Sequence, residues 1–349
     1  MKLVSFCLTR KAIIEKTIMT NLGIAVGEEM WMFFKEIYDD LTLHYNTSIF
    51  HKKEYHVPLL HGRLNRWSYK QGLHSILKQN DLCFFEWASE HLVIASNFHP
   101  QTPIVTRLHS FELYDWAPKV NWDSVSKVIL ISKYMQDKFN ELYPQHSHKS
   151  IVINNGRSMK TFTPPIHRTY DYNLGMMCAI LPVKRIYEVI LMLYELRKSG
   201  LPARLRIAGK AKEMGDFRYP VAVHELIKKL YLEDFVIFDG FVVDTPSWLQ
   251  NIDIFISNSF WEGQQVALIE AMACGCYCLS HFWNGSEEML PPENIFITNS
   301  DLQQKIIGFY NTSDAEKAAY SQYFRAIALE KYDLENIKIQ IHQVIEEVL

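Results

Sequence analysis

The apolar positions of this chain form short continuous runs, and stretches with helical spacing separate them. In the first half, the pattern predicts strands over residues 2–8, 41–45, 82–86, 104–108, 127–132 and 150–153. Helices are predicted between these runs over residues 19–38, 69–78 and 134–142. Near-continuous apolar strands that alternate with helices are typical of a parallel sheet covered on both faces. This half therefore predicts a doubly wound α/β domain.

The same alternation begins again after a polar, proline-containing segment over residues 154–173. Strands are predicted over residues 174–180, 203–208, 235–238, 252–257 and 276–280, and helices over 186–199, 219–229 and 264–273. Two such series joined by one linker predict two Rossmann-like α/β domains, which we assign to residues 1–155 and 170–330. Residues 334–349 show helical apolar spacing without a strongly basic polar face, so we expect a packing helix there.

Composition excludes several classes of protein. The 349 residues contain 36 Lys or Arg against 39 Asp or Glu, a net charge of −3, which argues against a general nucleic-acid binder. No stretch reaches the ~18 uncharged apolar residues of a membrane span. The apolar run over residues 3–8 meets Arg10 and Lys11 too early for a signal peptide. We expect a cytoplasmic protein.

Six cysteines are too few for a disulfide scaffold in a chain of this length. Three of them, Cys274, Cys276 and Cys278, form a CxCxC cluster near His281. The spacing differs from the CxxC of zinc sites, and no fourth ligand lies at a familiar distance. We therefore favour small buried side chains over a metal site and predict no metal for this protein.

A turn followed by an amphipathic helix is the strongest local signal. The strand over 252–257 leads to Glu262 and Gly263, and an apolar helix follows. Gly263 lacks a side chain where a ligand must approach the backbone closely. The N–H groups of Gln264, Gln265 and Val266 would have no intrahelical partner, and with the helix dipole they would form an anion site.

Two carboxylates flank this anion site. Glu262 lies in the turn, and Glu270 lies two helical turns further inside an apolar run. Carboxylates accept paired hydroxyl hydrogen bonds, which suits a sugar and a ribose diol. The alternative is that Glu262 caps the helix and Glu270 is a solvated helix residue. A merely structural carboxylate is costly in so apolar a stretch, so we favour binding.

These residues resemble the signature of family-4 glycosyltransferases, in which seven residues separate two glutamates. The segments over residues 128–134, 152–156 and 284–288 resemble further family segments, in the same order along the chain. The resemblance implies the GT-B fold, in which two Rossmann-like domains face each other across a cleft. It also implies a nucleotide-sugar donor, a retaining reaction and no metal cofactor.

A basic loop follows the first strand of the second domain. Lys184 matches the lysine of the family pattern, whereas the family's arginine falls on Ala179 and its glycines on Cys178 and Arg185. A cation at a strand end would neutralise the diphosphate as the glycosidic bond breaks. We expect Lys184 to do so and Arg185 to supply the cation missing at Ala179. The alternative is that both are solvated surface cations.

In the first domain, His109 follows the strand over 104–108, where the family often has a histidine near the transferred sugar. Glu86 and Trp87 end the preceding strand, and we expect them to face the acceptor. Residues 41–80 contain six Lys or Arg against Glu54 alone, interleaved with aromatic residues. This region is either a solvated loop or a surface that meets anionic lipid headgroups, a lipid diphosphate or an acidic glycan.

The resemblance implies a retaining, metal-independent hexosyltransferase. Its donor would be a UDP- or GDP-linked sugar in the second domain, and its acceptor a glycan or lipid-linked acceptor in the first, in bacterial surface polysaccharide or lipopolysaccharide synthesis. The predicted catalytic residues are Glu262, His109 and Lys184. The predicted substrate-binding residues are Arg185, Gly263, Gln264, Gln265 and Glu270. The alternatives are another GT-B enzyme, such as a sugar-nucleotide epimerase or phosphorylase, or a catalytically silent glycan-binding relative.

Overall fold

A computed structural model describes residues 19–27, 30–56, 61–211 and 217–349. The described chain forms two parallel sheets of six strands each. The prediction of two doubly wound α/β units is thereby confirmed. The predicted strand over residues 2–8, including Cys7, lies outside the described residues.

The first sheet has the strand order β2-β1-β3-β4-β5-β6. Its strands are β1 (Asn21–Val26), β2 (Asn46–Ile49), β3 (Leu82–Glu86), β4 (Ile104–Leu108), β5 (Lys127–Leu130) and β6 (Ser150–Val152). Its helices are α1 (Lys35–His44), α2 (His61–Gln79), α3 (Glu90–Ser96), α4 (Glu112–Asp115) and α5 (Lys133–Leu142). Every residue of β3 and β4 is buried, as expected for central strands covered on both faces.

The second sheet has the strand order β12-β11-β10-β7-β8-β9. Its strands are β7 (Asn173–Met177), β8 (Arg204–Ala208), β9 (Val236–Gly240), β10 (Ile254–Ser257), β11 (Tyr277–His281) and β12 (Ile295–Phe296). Its helices are α6 (Ile186–Lys198), α7 (Arg218–Lys229), α8 (Thr245–Gln250), α9 (Val266–Ala273), α10 (Ser286–Met289), α11 (Asn299–Asn311) and α12 (Asp314–Tyr332). The last helix, α13 (Leu334–Val348), packs against the first domain.

Two predicted elements near the start of the described chain are wrong. Residues 21–26 form β1 rather than part of a helix over 19–38, and residues 41–44 end α1 rather than forming a strand. Ile37 and Leu41 are one helical turn apart and both face the core. A short apolar run fits either period when the element is buried, so its pattern alone cannot distinguish strand from helix.

The chain crosses between the two sheets twice, after β6 and again between α12 and α13. The crossings touch at Arg157, whose N–H donates to the Tyr332 carbonyl at 2.9 Å and whose carbonyl accepts from the Leu334 N–H at 3.1 Å. After the second crossing, α13 packs its buried residues, such as Ile337 and Ile341, into the core below the first sheet. The C-terminal helix therefore belongs to the packing of the first domain.

Each sheet changes its winding direction at one strand, and this places the cleft residues. β1 lies between β2 and β3 in the first sheet, and β7 lies between β8 and β10 in the second. Ligands of open α/β sheets bind at the carboxyl ends of strands at such points. The residues that follow β3, β4, β7 and β10 lie at the carboxyl ends of these strands and are therefore candidates for a functional site.

The cysteine cluster lies away from these strand ends. Cys274, Cys276 and Cys278 are buried in the apolar core of the second domain, and the Cys276 thiol lies 3.3 Å from the Leu249 carbonyl oxygen. Burial raises the pKa of Cys276 to about 11, so its thiol stays protonated near neutral pH. None of the described helices has both the length and the apolar character needed to cross a bilayer.

Candidate active site

Lys184 and Glu262 form an ion pair at the winding change of the second sheet. Lys184 lies in the short turn between β7 and α6, and Glu262 follows β10. The Ser259 hydroxyl donates to the same Glu262 oxygen at 2.6 Å, and this bond holds the carboxylate in place after the end of β10. Both charged side chains are less than one-fifth exposed, at 19% and 15%. The structure thus brings together two residues that the sequence assigned to separate tasks.

Arg185 adopts the left-handed backbone conformation, with a φ of 51°. The resemblance places a glycine at this position, and the backbone geometry explains that choice. The Arg185 carbonyl accepts from Asn258 at 2.8 Å, and its Nε lies 3.6 Å from Glu188. Burial lowers the pKa of His281, and the Arg185 charge lowers it further, so the guanidinium is close to that ring. The two adjacent cations thus have different neighbours.

Several buried polar atoms around this pair have no hydrogen-bond partner among the described residues. They are Asn155 Oδ1, Ser257 Oγ, Asn258 Oδ1 and Gln265 Oε1. An unsatisfied buried donor or acceptor costs about 1–3 kcal/mol, so protein interiors rarely leave one unpaired. Their concentration at the strand ends and hinge indicates a surface prepared for a polar ligand.

Helix α9 begins two residues later than predicted. Gln265 is its N-terminal cap, and the Leu268 N–H donates the first helical bond, to the Gln265 carbonyl at 3.1 Å. The N–H groups of Gln265, Val266 and Ala267 therefore have no intrahelical partner, and the N–H of Gln264 lies just before the helix. The Gln264 side chain instead binds the hinge. Its Oε1 accepts from the Asn155 N–H at 2.6 Å, and its Nε2 donates to Asn154 at 2.9 Å.

Glu270 is buried, and its counter-ion comes from the hinge. Its Oε1 lies 2.7 Å from Nε of Arg157, and the residue is 5% exposed. Burial raises the pKa of Glu270 above its usual value, although the Arg157 charge opposes this shift. The sequence prediction missed Arg157. The signal was a carboxylate inside an apolar run, which requires a cation, but sequence alone does not show which cation reaches it.

The first domain contributes a buried charged cluster under the cleft. Arg107 donates three hydrogen bonds to the Glu86 carboxylate, at 2.6 Å to 3.1 Å, and His109 Nε2 lies 2.8 Å from Glu86 Oε1. Burial opposes ionisation of Glu86, but Arg107 and His109 outweigh it and hold its pKa below the usual value. Glu86 is 0% exposed, so the expectation that it faces the acceptor is wrong. It positions His109 instead.

Trp87 is also a positioning residue. Its ring stacks on His109, with centroids 3.9 Å apart, and it is only 6% exposed. Its backbone has a φ of 71°, which is unusual for a bulky side chain and typical of strained segments at functional sites. We expected Trp87 to face the acceptor. In the structure it supports the His109 ring instead.

The two domains meet directly above this cluster. A side chain added at Gly263 would overlap the carbonyl oxygen of His109. The sequence predicted that a ligand approaches the backbone at Gly263, and in the structure the backbone of the first domain does so. Nearby, the N–H groups that begin α5, those of Lys133 and Tyr134, donate to the Glu288 carboxylate at 2.7 Å and 2.6 Å. The backbone at His109 therefore packs against the turn that contains Gly263.

A cavity of about 580 Å³ opens at the winding change of the first sheet. Its lining includes Phe50, Lys52, Tyr69, His91 and Trp116. Tyr69 and His91 are hydrogen-bonded at 2.9 Å, and burial, helped by the Lys52 charge, lowers the pKa of His91 to about 4. The lining also includes the carboxylates of Glu54 and Glu90, so this mixture of hydrogen-bonding groups and aromatic rings suits a sugar.

Comparisons with known proteins agree with this arrangement. The profile of the family described as Glycosyl transferases group 1 matches residues 172–310, which contain Lys184, Glu262 and Glu270. Among solved structures, the crystal structure of HepE from Anabaena in complex with UDP and glucose aligns with a TM-score of 0.77. That alignment covers 94% of this chain and 99% of HepE at 20% identity, and it confirms the GT-B fold.

Two curated relatives are similar over part of their length. Protein CapJ of Staphylococcus aureus is 24% identical over 223 residues, which is 61% of this chain and 53% of CapJ. The UDP-Gal:alpha-D-GlcNAc-diphosphoundecaprenol alpha-1,3-galactosyltransferase of Escherichia coli is 26% identical over 203 residues, or 53% of this chain and 51% of that enzyme. The chain thus matches about half the length of each relative.

Proposed function

We propose that this chain is a retaining glycosyltransferase that transfers a sugar from a UDP- or GDP-linked donor to a glycan or lipid-linked acceptor. The observation that supports it most strongly is the group of charged and unpartnered polar atoms at the β7 and β10 strand ends, inside the segment that matches Glycosyl transferases group 1. No metal or other cofactor is part of this proposal.

The donor would lie along the second sheet. Lys184, Arg185 and the first N–H groups of α9 would bind the diphosphate, since a cation and a helix N-terminus both stabilise phosphate charge. Glu262, which Ser259 orients, would accept from the sugar hydroxyls. Glu270 holds Arg157 with Oε1, and Oε2 would accept from a ribose hydroxyl.

The proposed reaction needs no protein nucleophile. The acceptor hydroxyl would attack the anomeric carbon from the side of the leaving group. The new C–O bond forms as the bond to the phosphate oxygen breaks, and the hydroxyl proton passes to the departing phosphate. Lys184 would stabilise the charge that develops there, and His109 would hydrogen-bond a sugar hydroxyl through Nδ1, since Glu86 occupies Nε2.

The acceptor would occupy the first domain. The cavity beside Lys52 and His91 is lined by Val26 and Ser89, which lie at the carboxyl ends of β1 and β3, and it has room for a sugar-sized group. The Escherichia coli relative is named for a UDP-galactose donor and a diphosphoundecaprenol-linked acceptor. We extend this pairing to the present chain, in bacterial surface polysaccharide or lipopolysaccharide synthesis.

Contact with the inner face of a membrane is the last part of the proposal. Residues 41–80 have a surplus of Lys and Arg, and Trp67 in α2 is 61% exposed. A basic surface with an exposed indole suits anionic headgroups, where each cation contributes about 1 kcal/mol. Peripheral binding would bring a lipid-linked acceptor close to the cleft.

The test begins with a panel of UDP-, GDP- and ADP-linked hexoses. We expect one nucleotide series to raise the Tm of the full chain, and its sugar to reach a lipid-diphosphate acceptor with the anomeric configuration retained by NMR. Glu262→Gln should lose transfer, whereas Glu330→Gln, an exposed carboxylate on α12, should retain it.

Three outcomes would contradict the proposal. Release of free nucleotide without an acceptor, together with an altered sugar, would indicate an epimerase. Stabilisation by a donor without turnover on any acceptor would indicate a catalytically silent binding protein. Ala179, which stands where the family has an arginine, would then explain the missing activity. An inverted anomer would refute the retaining reaction.

A further inference from the structure

A cluster of two histidines and one carboxylate lies outside the cleft, where α13 crosses α1. Asp40 and His44 are one turn apart on α1, and His342 projects from α13. One ligand atom from each side chain lies within 4.8 Å of the other two. The carboxylate and His342 are half-buried, and His44 is exposed, so an ion can enter from solvent.

The imidazole rings are held in matching orientations. His44 Nδ1 lies 2.9 Å from the Asp40 carbonyl oxygen, and His342 Nδ1 lies 3.0 Å from the Tyr45 hydroxyl. When a ring N–H is held in this way, the other nitrogen is left unprotonated and available to a metal. In His44 this leaves Nε2 available, whereas His342 Nε2 also lies 2.7 Å from Asp40 Oδ2, so a metal ion that binds this nitrogen displaces its proton.

A simple ion pair explains only part of this arrangement. His342 Nε2 lies 2.7 Å from Asp40 Oδ2, as it would in a pair between two helices. The pair does not explain His44, whose ring lies edge-on to His342 with centroids 4.7 Å apart. Two imidazoles and one carboxylate match the ligand preference of Zn²⁺.

The local charge also favours a cation. Asp40 Oδ2 lies 2.7 Å from His342 Nε2, so a carboxylate already faces the ring that would share the ion. Ligand atoms of a tetrahedral Zn²⁺ site stand about 3.3 Å apart, given bonds of ~2.0–2.1 Å. Separations from 2.7 Å to 4.8 Å reach that spacing through small side-chain movements.

We propose that Asp40, His44 and His342 bind one divalent transition-metal ion of the Zn²⁺ type, with water completing the coordination. The ion would fasten α13 to α1. Since α13 directly follows the second crossing between the domains, it would fix the C-terminal helix on the first domain. None of these residues faces the cleft, so the site is structural and independent of the proposed reaction.

Equilibrium dialysis of the full chain against Zn²⁺ tests the site, with metal content measured by mass spectrometry. All proteins should carry Cys7→Ser, since that thiol lies outside the described residues. We expect one Zn²⁺ per chain and a higher Tm with the metal. His44→Ala should weaken binding at least tenfold while leaving the metal-free Tm unchanged, because His44 is exposed.

Asp40→Asn and His342→Ala should weaken binding as well, and His167→Ala, an exposed histidine of the linker, should not. Co²⁺ should give visible absorption bands that His44→Ala abolishes. Failure of one equivalent to bind, or binding that survives both His44→Ala and His342→Ala, would overturn the proposal. Because these readouts need no donor or acceptor, they are independent of the proposed activity.

Discussion

Arg157 of the hinge forms an ion pair with Glu270 of α9, with 2.7 Å between Nε and Oε1. The backbone of Arg157 joins the two domain crossings through Tyr332 and Leu334. One residue therefore connects the hinge backbone to the helix that we propose binds the donor.

Glu270→Gln should mainly weaken nucleotide binding, whereas Arg157→Ala should mainly lower the stability of the fold. Losing the carboxylate should weaken nucleotide binding by ~1.5–3 kcal/mol, about ten- to hundredfold, with little loss of stability. Losing the cation leaves Glu270 buried without a counter-ion, and we expect a loss of about 3 kcal/mol in the free energy of unfolding. Calorimetric titration with UDP and GDP, together with urea unfolding, measures both effects.

The pH dependence has a defined sign. The folded pKa of Glu270 lies above its usual 4.5, so the folded state favours the protonated carboxyl. Stability is therefore lost as pH rises from that value through the folded pKa. Arg157→Ala should deepen this loss, and the double variant with Glu270→Gln should remove it and recover stability.

Unchanged nucleotide affinity in Glu270→Gln would count against its ribose contact.

Glu86→Gln should destabilise the first domain. Arg107 is 0% exposed, and without the carboxylate its charge is buried and unpaired, which costs about 3–5 kcal/mol. The folded pKa of Glu86 lies below 4.5, so its stabilisation is complete above that pH and is lost as pH falls through the folded value. The difference from wild type should therefore shrink in acid.

Thermal unfolding at several pH values between neutral and acid checks this prediction. Glu141→Gln, an exposed carboxylate on α5, is the matched control and should change stability little at any pH. A constant difference between Glu86→Gln and wild type across the series would refute the assigned ionisation.

The sequence predicted most of the second domain because its strands are nearly continuous apolar runs bounded by polar turns. It failed between residues 19 and 45, where β1 and α1 are both short and buried on the core side, so helical and strand periods fit equally. Residue type, spacing and the family resemblance also made Glu262, Glu270 and Lys184 candidate site residues. The sequence could not give their partners, since Arg157 lies more than a hundred residues from Glu270 and only tertiary packing joins them.

Gly263→Ala should impair transfer without impairing donor binding. The new methyl group would overlap the His109 carbonyl, and the two domains would have to separate. The donor residues all belong to the second domain, so nucleotide affinity should stay close to wild type while kcat falls. Gly308→Ala in α11, where nothing lies within 4 Å of the added carbon, is the control. Equal kcat in both variants would show that close approach of the domains is not required.

Transfer should persist in excess chelator. The proposed diphosphate contacts are Lys184, Arg185 and the start of α9, which supply positive charge without a divalent ion. The Asp40, His44 and His342 cluster lies elsewhere, so removing its ion should lower Tm and leave the initial rate unchanged. Initial rates with and without EDTA decide this. Complete loss of turnover that Mn²⁺ or Mg²⁺ restores would contradict the prediction.

The last prediction concerns Lys184 and Arg185, whose backbone amides are adjacent but whose charges have different neighbours. Lys184 pairs with Glu262, so Lys184→Ala removes a phosphate contact and also leaves Glu262 unpaired beside the leaving group. We expect its kcat to fall by about a hundred- to thousandfold. Steady-state kinetics with a saturating acceptor measure this against wild type.

Arg185 allows its charge to be separated from its backbone. With φ at 51°, Arg185→Gly relieves left-handed strain and should keep the free energy of unfolding within about 1 kcal/mol of wild type. If the guanidinium stabilises the departing phosphate, kcat should fall in both Arg185→Gly and Arg185→Ala, and far more than KM for the donor rises, because the charge acts mainly in the transition state. Arg185→Lys should recover part of the rate. If instead only Lys184→Ala is impaired, the site contains a single effective cation, and Arg185 does not replace the arginine that the family has at the position of Ala179.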